Sequence, residues 1–363
     1  MAERITHLDT VRGAAVMGIL VMNSVSFGLG NESYYDPSLG AVTALDTWLA
    51  GFGEVFADQK FMGLFSLLFG ASLLLFLDRV SGRSDHPARL SLWRNFLLLV
   101  MGVLHTVLWI GDVLVTYALC APVLLLFRNA RAQTLVVLGV VLFGLSVPLG
   151  WWAGTAIDDA TIRAVWRGVV KTPDQELFGL YILTEQFLRA MGMMLLGMGL
   201  FRSGHLVRPI GPTGIRWSVV AIVVAAAVSG VGLFQVAAQG GDAGALVVGN
   251  MANGVATIPM TLGYLGVLMG WDQRSTGRLI RRVRSLGRMA LTNYLGQTVL
   301  GVLVFALVPK EDTTRTLLWA FVLVVWAIQL WASDAWLGRF RMGPLEWLWR
   351  CATYRRWEPL RRG

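Results

Sequence analysis

The chain has 363 residues, 55% of them hydrophobic and 15% charged, and its mean hydropathy is +0.61. These values exclude an ordinary soluble domain and are typical of an integral membrane protein. The net charge of +9 does not indicate a nucleic-acid partner, because the basic residues flank apolar segments, where anionic lipid headgroups are the expected partners.

Ten apolar segments have roughly the length that a helix needs to cross the hydrocarbon core of a membrane. They cover residues 11–29, 61–77, 95–110, 113–127, 133–151, 181–201, 217–236, 245–270, 289–308 and 317–331. This pattern predicts an all-α bundle of ten transmembrane helices that forms a single domain over residues 1–363. Residues 334–363 are predicted to form a basic, amphipathic cytoplasmic tail.

The basic residues are distributed unevenly between the loops. Of the 31 Lys and Arg residues, 24 fall in six clusters on one side of the predicted bundle. The clusters cover residues 4–12, 79–94, 128–131, 202–216, 274–288 and 339–362. By the positive-inside rule, these segments and both termini are predicted to lie on the cytoplasmic side of a plasma membrane. The sequence does not determine the oligomeric state, and a homodimer is one of the alternatives.

Charged residues precede the second apolar segment. Residues 44–56 are amphipathic and are predicted to form a helix along the outer surface. Glu54, Asp58 and Lys60 follow at its end. Lys60 either extends outward as an interfacial anchor or, with the two carboxylates, forms the charged rim of a substrate pocket.

His105 is the one histidine of four that falls inside an apolar segment, and Asp112 follows seven residues later. On an unbroken helix these side chains lie about 10 Å apart along the axis, so a contact requires the chain to turn back around Gly111. Two interpretations remain open. His105 is a general base oriented by Asp112, or it is a neutral histidine bonded to a backbone carbonyl while Asp112 caps the next helix.

Three further polar features lie in the later segments. Glu185 and Arg189 stand at positions i and i+4, which predicts an ion pair that either neutralises itself or binds a charged substrate group. The basic run 274–288 contains Arg284 and Arg288. Either it only marks the cytoplasmic side of the membrane topology, or it binds an anionic cofactor. Asn293 is predicted to form interhelical hydrogen bonds. Neither Cys120 nor Cys351 has a neighbour at metal-ligand spacing, and no metal site is predicted.

Several motifs resemble a known family along nearly the whole chain. These are residues 8–15 (LDTVRGAA), 60–70 (KFMGLFSLLFG), 111–119 (GDVLVTYAL), 287–294 (GRMALTNY) and 343–350 (GPLEWLWR). The chain resembles the YeiB-like family of uncharacterised bacterial membrane proteins. Its LDxxRG motif also resembles the wider transmembrane acyltransferase superfamily, which includes heparan-alpha-glucosaminide N-acetyltransferase and bacterial membrane O-acyltransferases.

That wider resemblance implies a cytoplasmic acyl-CoA donor and an acceptor reached from the far side of the membrane, with Arg12 near the donor. The chain departs from the pattern at Asn23, which occupies the position of the catalytic histidine in the O-acyltransferases. The resemblance therefore implies either that His105 has taken over the catalytic role or that the reaction has been lost.

Two functions follow from these observations. In the first, His105 is the base of an acyltransferase, Asp112 orients it, and Asn23 or Tyr34 supports the oxyanion. In the second, the protein is a transporter, flippase or lipid-binding protein that uses the intramembrane charges. The candidate substrate-binding residues are Asn23, Tyr34, Lys60, Glu185, Arg189 and Asn293. The candidate residues for the acyl-CoA donor are Arg12, Arg284 and Arg288.

Overall fold

The computed structural model describes residues 5–34, 36–82, 85–238 and 243–362, and within them the regular structure is helical. Of the basic clusters, Arg4 and Arg83 lie outside the described residues. The helices are α1 (Thr6–Leu29), α2 (Ala44–Phe56), α3 (Lys60–Val80), α4 (Pro87–Leu108), α5 (Leu114–Leu126), α6 (Ala132–Ala156), α7 (Asp159–Trp166), α8 (Pro173–Arg202), α9 (Pro212–Ala238), α10 (Ala243–Arg274), α11 (Arg278–Arg288), α12 (Ala290–Phe305), α13 (Arg315–Arg339) and α14 (Pro344–Tyr354). Short 3₁₀ helices cover Asn31–Tyr34 and Lys310–Asp312.

Each of the ten predicted apolar segments falls on one of these helices. In the described part of the chain, seven helical stretches have the length and composition to cross a membrane: α1, α2 with α3, α4, α6, α9, Gly249–Arg274 of α10, and α13. The remaining three differ for identifiable reasons. Helices α5 and α12 are apolar but only 13 and 16 residues long, and α8 carries Glu185 and Arg189 in its apolar part.

The predicted amphipathic segment is helix α2, with the bounds expected from the sequence. Thr43 and Asp46 form a capping box, in which the Thr43 side chain accepts from the Asp46 backbone N–H and the Asp46 carboxylate accepts from that of Thr43. The same carboxylate accepts a 2.7 Å hydrogen bond from the Thr316 backbone N–H. One buried side chain therefore fixes the first turns of both α2 and α13.

Helix α1 runs through the centre of the bundle, where it packs against α3 and α10 to α13. Its tightest crossing is with α11. A Cβ atom built on Gly13 would lie 2.2 Å from the Val283 carbonyl oxygen, and one on Gly287 would lie 1.9 Å from the Asp9 carbonyl oxygen. Only glycine fits at either position, because both obstructing atoms belong to the backbone. Gly13 and Gly287, the glycine of the GRMALTNY motif, thus allow the backbones of α1 and α11 to pack in direct contact.

The predicted C-terminal tail is packed against the bundle. Helix α13 continues to Arg339, beyond the expected start of the tail at residue 334. Helix α14 then docks on α4, where the Trp349 indole N–H donates to the Arg94 carbonyl oxygen at 2.9 Å. The Glu346 carboxylate caps α12 by accepting from the backbone N–H groups of Leu291 (2.7 Å) and Thr292 (3.1 Å). We refer to the end of the bundle with α11 and α14 as the basic end.

Candidate functional site

A tight turn at the opposite end joins α4 to α5 and brings His105 onto Asp112. Helix α4 ends at Leu108, and the chain reverses around Gly111, where a Cβ atom would lie 2.2 Å from the Trp109 ring. His105 Nδ1 lies 2.8 Å from Asp112 Oδ1. The other oxygen of Asp112 accepts from the Leu114 N–H at 3.0 Å. Asp112 therefore does both things that the sequence left as alternatives: it contacts His105 and it caps α5.

The His105–Asp112 pair is buried, and within the described residues only one of the two ring nitrogens of His105 is hydrogen-bonded. The side-chain exposures of the two residues are 1% and 0%. The Tyr294 hydroxyl donates to Asp112 Oδ1 at 3.1 Å, so a third helix holds the same carboxylate. Because an ionised carboxylate only accepts hydrogen bonds, it selects the tautomer of His105 that is protonated at Nδ1. The Nε2 atom is then an acceptor, and it has no hydrogen-bond partner among the described residues.

Helix α1 provides another wall of this site. The Trp109 indole N–H donates to Ser26 Oγ at 2.9 Å, and the Phe27 ring packs edge-on against Trp109. Ile19 belongs to the same apolar cluster as Tyr294. Asn23 lies four residues after Ile19 and three before Ser26, so it occupies the same face of α1. Asn23 therefore lies on the face of α1 that packs near His105.

Tyr34 connects this site to a second polar region. Burial raises the pKa of the Tyr34 hydroxyl, the Asp58 carboxylate raises it further, and a hydrogen bond with Ser26 acts in the opposite direction. Tyr34 also lines a small cavity of about 40 Å³ together with Glu54 and Asn253. Tyr34 thus interacts both with Ser26, which contacts Trp109, and with Asp58 at the bend between α2 and α3.

Lys60 does not extend outward, and that interpretation was wrong. The side chain is fully buried, and its ammonium group donates to the Glu54 carbonyl oxygen at 3.0 Å and to Asn253 Oδ1. The Asn253 amide in turn donates to Asp58 Oδ2 at 2.6 Å. The carbonyl of Glu54 belongs to the last turn of α2, where a cation complements the negative end of the helix dipole. Lys60 therefore serves as the C-terminal cap of a buried helix end.

The predicted pair on α8 is present, with Arg189 Nη2 at 2.5 Å from Glu185 Oε1. Arg189 is only 8% exposed, and its Nε and Nη1 atoms have no partner among the described residues. Asp58 and Lys60 lie within electrostatic range of this guanidinium group. The charges of Glu185 and Arg189 thus compensate each other through Nη2 of Arg189. The Nε and Nη1 donors of the same guanidinium group form no hydrogen bond within the described residues.

Asn293 forms the predicted interhelical hydrogen bonds. Its amide donates to the Leu286 carbonyl oxygen at 3.1 Å and to Ser333 Oγ at 3.0 Å, and its backbone carbonyl accepts from Gln329 at 2.8 Å. Both donors of this amide are therefore engaged within the protein, in a network that joins α11, α12 and α13.

The three arginines assigned to the donor are held by different partners at the basic end. Arg12 lies 3.4 Å from Asp9 and donates to Ser72 Oγ at 3.2 Å. Arg284 pairs with the buried Asp272 at 2.7 Å, a carboxylate that also bonds to Thr10 of α1. Arg288 donates to the Arg341 carbonyl oxygen at 2.9 Å. Thr10 and Arg12 point to different sides of α1, so Arg12 and Arg284 are not brought together.

Sequence reasoning did not place Tyr294, Trp109 or Ser26 at the His105–Asp112 pair, which these residues surround. Tyr294 directly follows Asn293 in the GRMALTNY motif, and that adjacency was the available signal. Within the described ranges, no three His, Cys, Asp or Glu side chains come together in a group that could hold a metal ion.

Comparison with known proteins places the chain among uncharacterised relatives. It is 34% identical to the uncharacterised protein YeiB of Escherichia coli (strain K12) over 97% of both chains. The chain belongs to the YeiB family. It is 28% identical to the uncharacterised protein YxaH of Bacillus subtilis (strain 168) over 99% of this chain and 96% of YxaH. Residues 200–356 also match the model of DUF418, a family described as proteins of unknown function. No solved structure matches.

Because these relatives are uncharacterised, the resemblance to the wider acyltransferase superfamily stays a prediction. The names of these relatives give no activity that could be carried over to this chain.

Proposed function

We propose that this protein is a membrane acyltransferase that moves an acyl group from acyl-CoA to a hydroxyl or amine of an acceptor, with His105 as the general base. The observation that carries the proposal is the His105–Asp112 pair, in which a carboxylate holds Nδ1 at 2.8 Å and Nε2 is buried without a partner. A general base needs this combination, because the orienting carboxylate stabilises the imidazolium while the free nitrogen takes the proton.

In the proposed reaction, the acceptor gives its proton to Nε2 of His105 while its oxygen or nitrogen bonds to the thioester carbonyl carbon. The tetrahedral oxyanion then collapses, the C–S bond breaks, and the imidazolium returns the proton to the departing thiolate of coenzyme A. Asn23 and Tyr34 are the candidate donors to the oxyanion, since Asn23 shares the α1 face with Ser26 and Tyr34 lies beside Ser26.

The proposal includes a topology of ten crossings in the bacterial inner membrane, with both termini cytoplasmic. It is supported by the ten helices on the predicted apolar segments and by the grouping of basic residues beside α11 and α14. In this arrangement acyl-CoA approaches from the basic end and the acceptor from the end that carries His105.

The experiment is a turnover assay on the purified protein in neutral-lipid nanodiscs. Acyl-CoAs of increasing chain length are supplied with a membrane and cell-wall extract as the source of acceptor, and release of coenzyme A thiol is recorded. We expect His105→Ala to lose turnover by a factor of about 10²–10⁴ and to remain folded. His205→Ala is the matched control, because His205 is exposed near the basic end. Undiminished turnover in His105→Ala would rule out the assignment.

A second candidate is a transporter, flippase or lipid-binding protein on the same fold. The unused Nε and Nη1 donors of Arg189, in electrostatic range of the buried Lys60 and the half-buried Asp58, favour it, because a polar cargo would satisfy them. Reconstituted vesicles distinguish the two functions. Transport or flipping that is lost in Arg189→Gln but kept in His105→Ala would support this candidate over the acyltransferase.

A further inference from the structure

At the basic end, the guanidinium group of Arg94 is held between two aromatic rings. Its central carbon lies 4.6 Å from the centre of the Phe76 ring and 4.2 Å from that of Trp349. Stacking of this kind fixes the plane of the guanidinium group and leaves its N–H edge for acceptors in that plane. Among the residues that the structure describes, no carboxylate forms an ion pair with Arg94, so the oriented edge is not used by the protein.

Two other arginines lie along the same face of α3. Arg12 reaches Ser72 at 3.2 Å, Phe76 lies one turn further along α3, and Arg79 follows three residues later. Positions i, i+4 and i+7 share one helix face. Arg94 also lies within electrostatic range of Arg12, Arg350 and Arg79. Three guanidinium groups are thus gathered around two turns of one helix.

The ion pairing of this group is uneven. Among the described residues, Arg79 and Arg94 take part in no ion pair, whereas Arg12 lies 3.4 Å from Asp9. Glu358 is engaged by Arg350 and Arg356 instead. Gathering like charges is unfavourable unless an anion lies between them. A phosphate monoester carries a charge close to −2 at neutral pH, and two of its oxygens can accept parallel hydrogen bonds from the planar guanidinium group of an arginine.

We infer that Arg12, Arg79 and Arg94 form a binding site for a phosphate group. The phosphate belongs either to a soluble nucleotide such as coenzyme A, which carries a phosphate monoester, or to a phospholipid headgroup, whose phosphodiester carries one negative charge. Both present phosphate oxygens to the arginines. Arg284 and Arg288 are outside this site, because Asp272 and the Arg341 carbonyl hold them.

Helix α4 relates this site to His105. Arg94 and His105 are eleven residues apart, which is three turns plus about 20°, so they share a face and are separated by roughly 16 Å along the axis. A donor with its phosphate at Arg94 and its pantetheine arm along α4 would carry its thioester towards His105. This orientation of the donor rests on the proposed acyltransferase, whereas the phosphate site itself does not.

The test measures phosphate binding directly. Purified protein in phosphatidylcholine nanodiscs is titrated with adenosine 3′,5′-bisphosphate by calorimetry, and phosphatidylglycerol retained by the protein is counted by native mass spectrometry. We expect Arg94→Gln and Arg79→Gln to weaken one of these interactions at least tenfold. Arg278→Gln is the control, because Arg278 is exposed on α11 at the same end, and it should change binding less than twofold.

Each outcome has one meaning. Loss of nucleotide binding in both variants assigns the site to the donor, and loss of phosphatidylglycerol alone assigns it to lipid. If neither interaction depends on Arg79 or Arg94, the inference is overturned. Arg79 is exposed, so Arg79→Gln keeps the test valid should Arg94→Gln unfold. If the protein binds phosphate through these arginines but releases no coenzyme A in the turnover assay, the acyltransferase proposal is contradicted and the phosphate site is still supported.

Discussion

Two buried polar regions near the same end of the bundle differ in one respect. At the bend between α2 and α3, the ammonium group of Lys60 is engaged by Glu54 and Asn253. At the turn between α4 and α5, His105 is bonded through Nδ1 and open at Nε2. Burying either side chain within the membrane costs free energy, so this cost does not tell whether a residue has a structural or a catalytic role. The difference lies in which atoms the fold leaves without a partner.

The largest effect on stability is expected at Lys60. Replacing it with methionine keeps a similar length but removes the cation from Asp58, the Glu54 carbonyl and the Asn253 amide. We expect a loss of about 3–5 kcal/mol in the free energy of unfolding, because a buried charge network loses one member. Unfolding in mixed micelles measures it, with His105→Ala as the comparison. A Lys60→Met protein as stable as wild type would remove the distinction between the regions.

The pair on α8 should behave as a coupled unit. Arg189→Gln leaves the Glu185 carboxylate without the partner it has at 2.5 Å, and we expect a loss of about 2–3 kcal/mol in unfolding free energy. Adding Glu185→Gln should recover at least half of this loss, since the remaining charge is removed. A double-mutant cycle on unfolding free energies checks the coupling. Additive losses would show that the two residues do not act together.

Tyr294→Phe is expected to have a smaller effect, and it tests whether the hydrogen bond from Tyr294 to Asp112 helps to position His105. The change removes a 3.1 Å hydrogen bond to Asp112 and keeps the ring that packs 5.4 Å from His105. We expect turnover to fall about five- to tenfold, corresponding to roughly 1 kcal/mol, with little change in stability. The measurement is the coenzyme A release assay over a range of pH. Unchanged rate and pH profile would exclude Tyr294 as a positioning residue.

The smallest effect is expected at the basic end, far from both regions. Glu346→Gln keeps one acceptor for the first N–H groups of α12 but removes the negative charge from the helix N-terminus. We expect a loss of about 1 kcal/mol in unfolding free energy and no change in turnover. Thermal unfolding and the release assay together check this. A large loss of turnover would mean that α14 takes part in the chemistry.

The comparison also shows what could be predicted from the sequence. Apolar length located the ten helices, helical spacing located the Glu185–Arg189 pair, and the seven-residue interval identified the turn that the His105–Asp112 contact requires. These features depend on neighbours in the chain.

The interactions that were missed join distant parts of the chain. Tyr294 is 182 residues from Asp112, and Asn253 is 193 residues from Lys60. No local pattern indicates that these helices meet, and the outward orientation expected for Lys60 failed because its partners come from α2 and α10. The open Nε2 atom of His105 follows in the same way from packing that sequence spacing does not describe.

The most direct test of the central claim is chemical rescue of His105→Ala by added imidazole, measured as release of coenzyme A. If the open Nε2 atom is the base, imidazole should restore part of the lost turnover in His105→Ala, in proportion to the concentration of its neutral form. It should restore none in Lys60→Met, where the lost group is structural. A His105→Ala protein that turns over at the wild-type rate without imidazole would contradict the account.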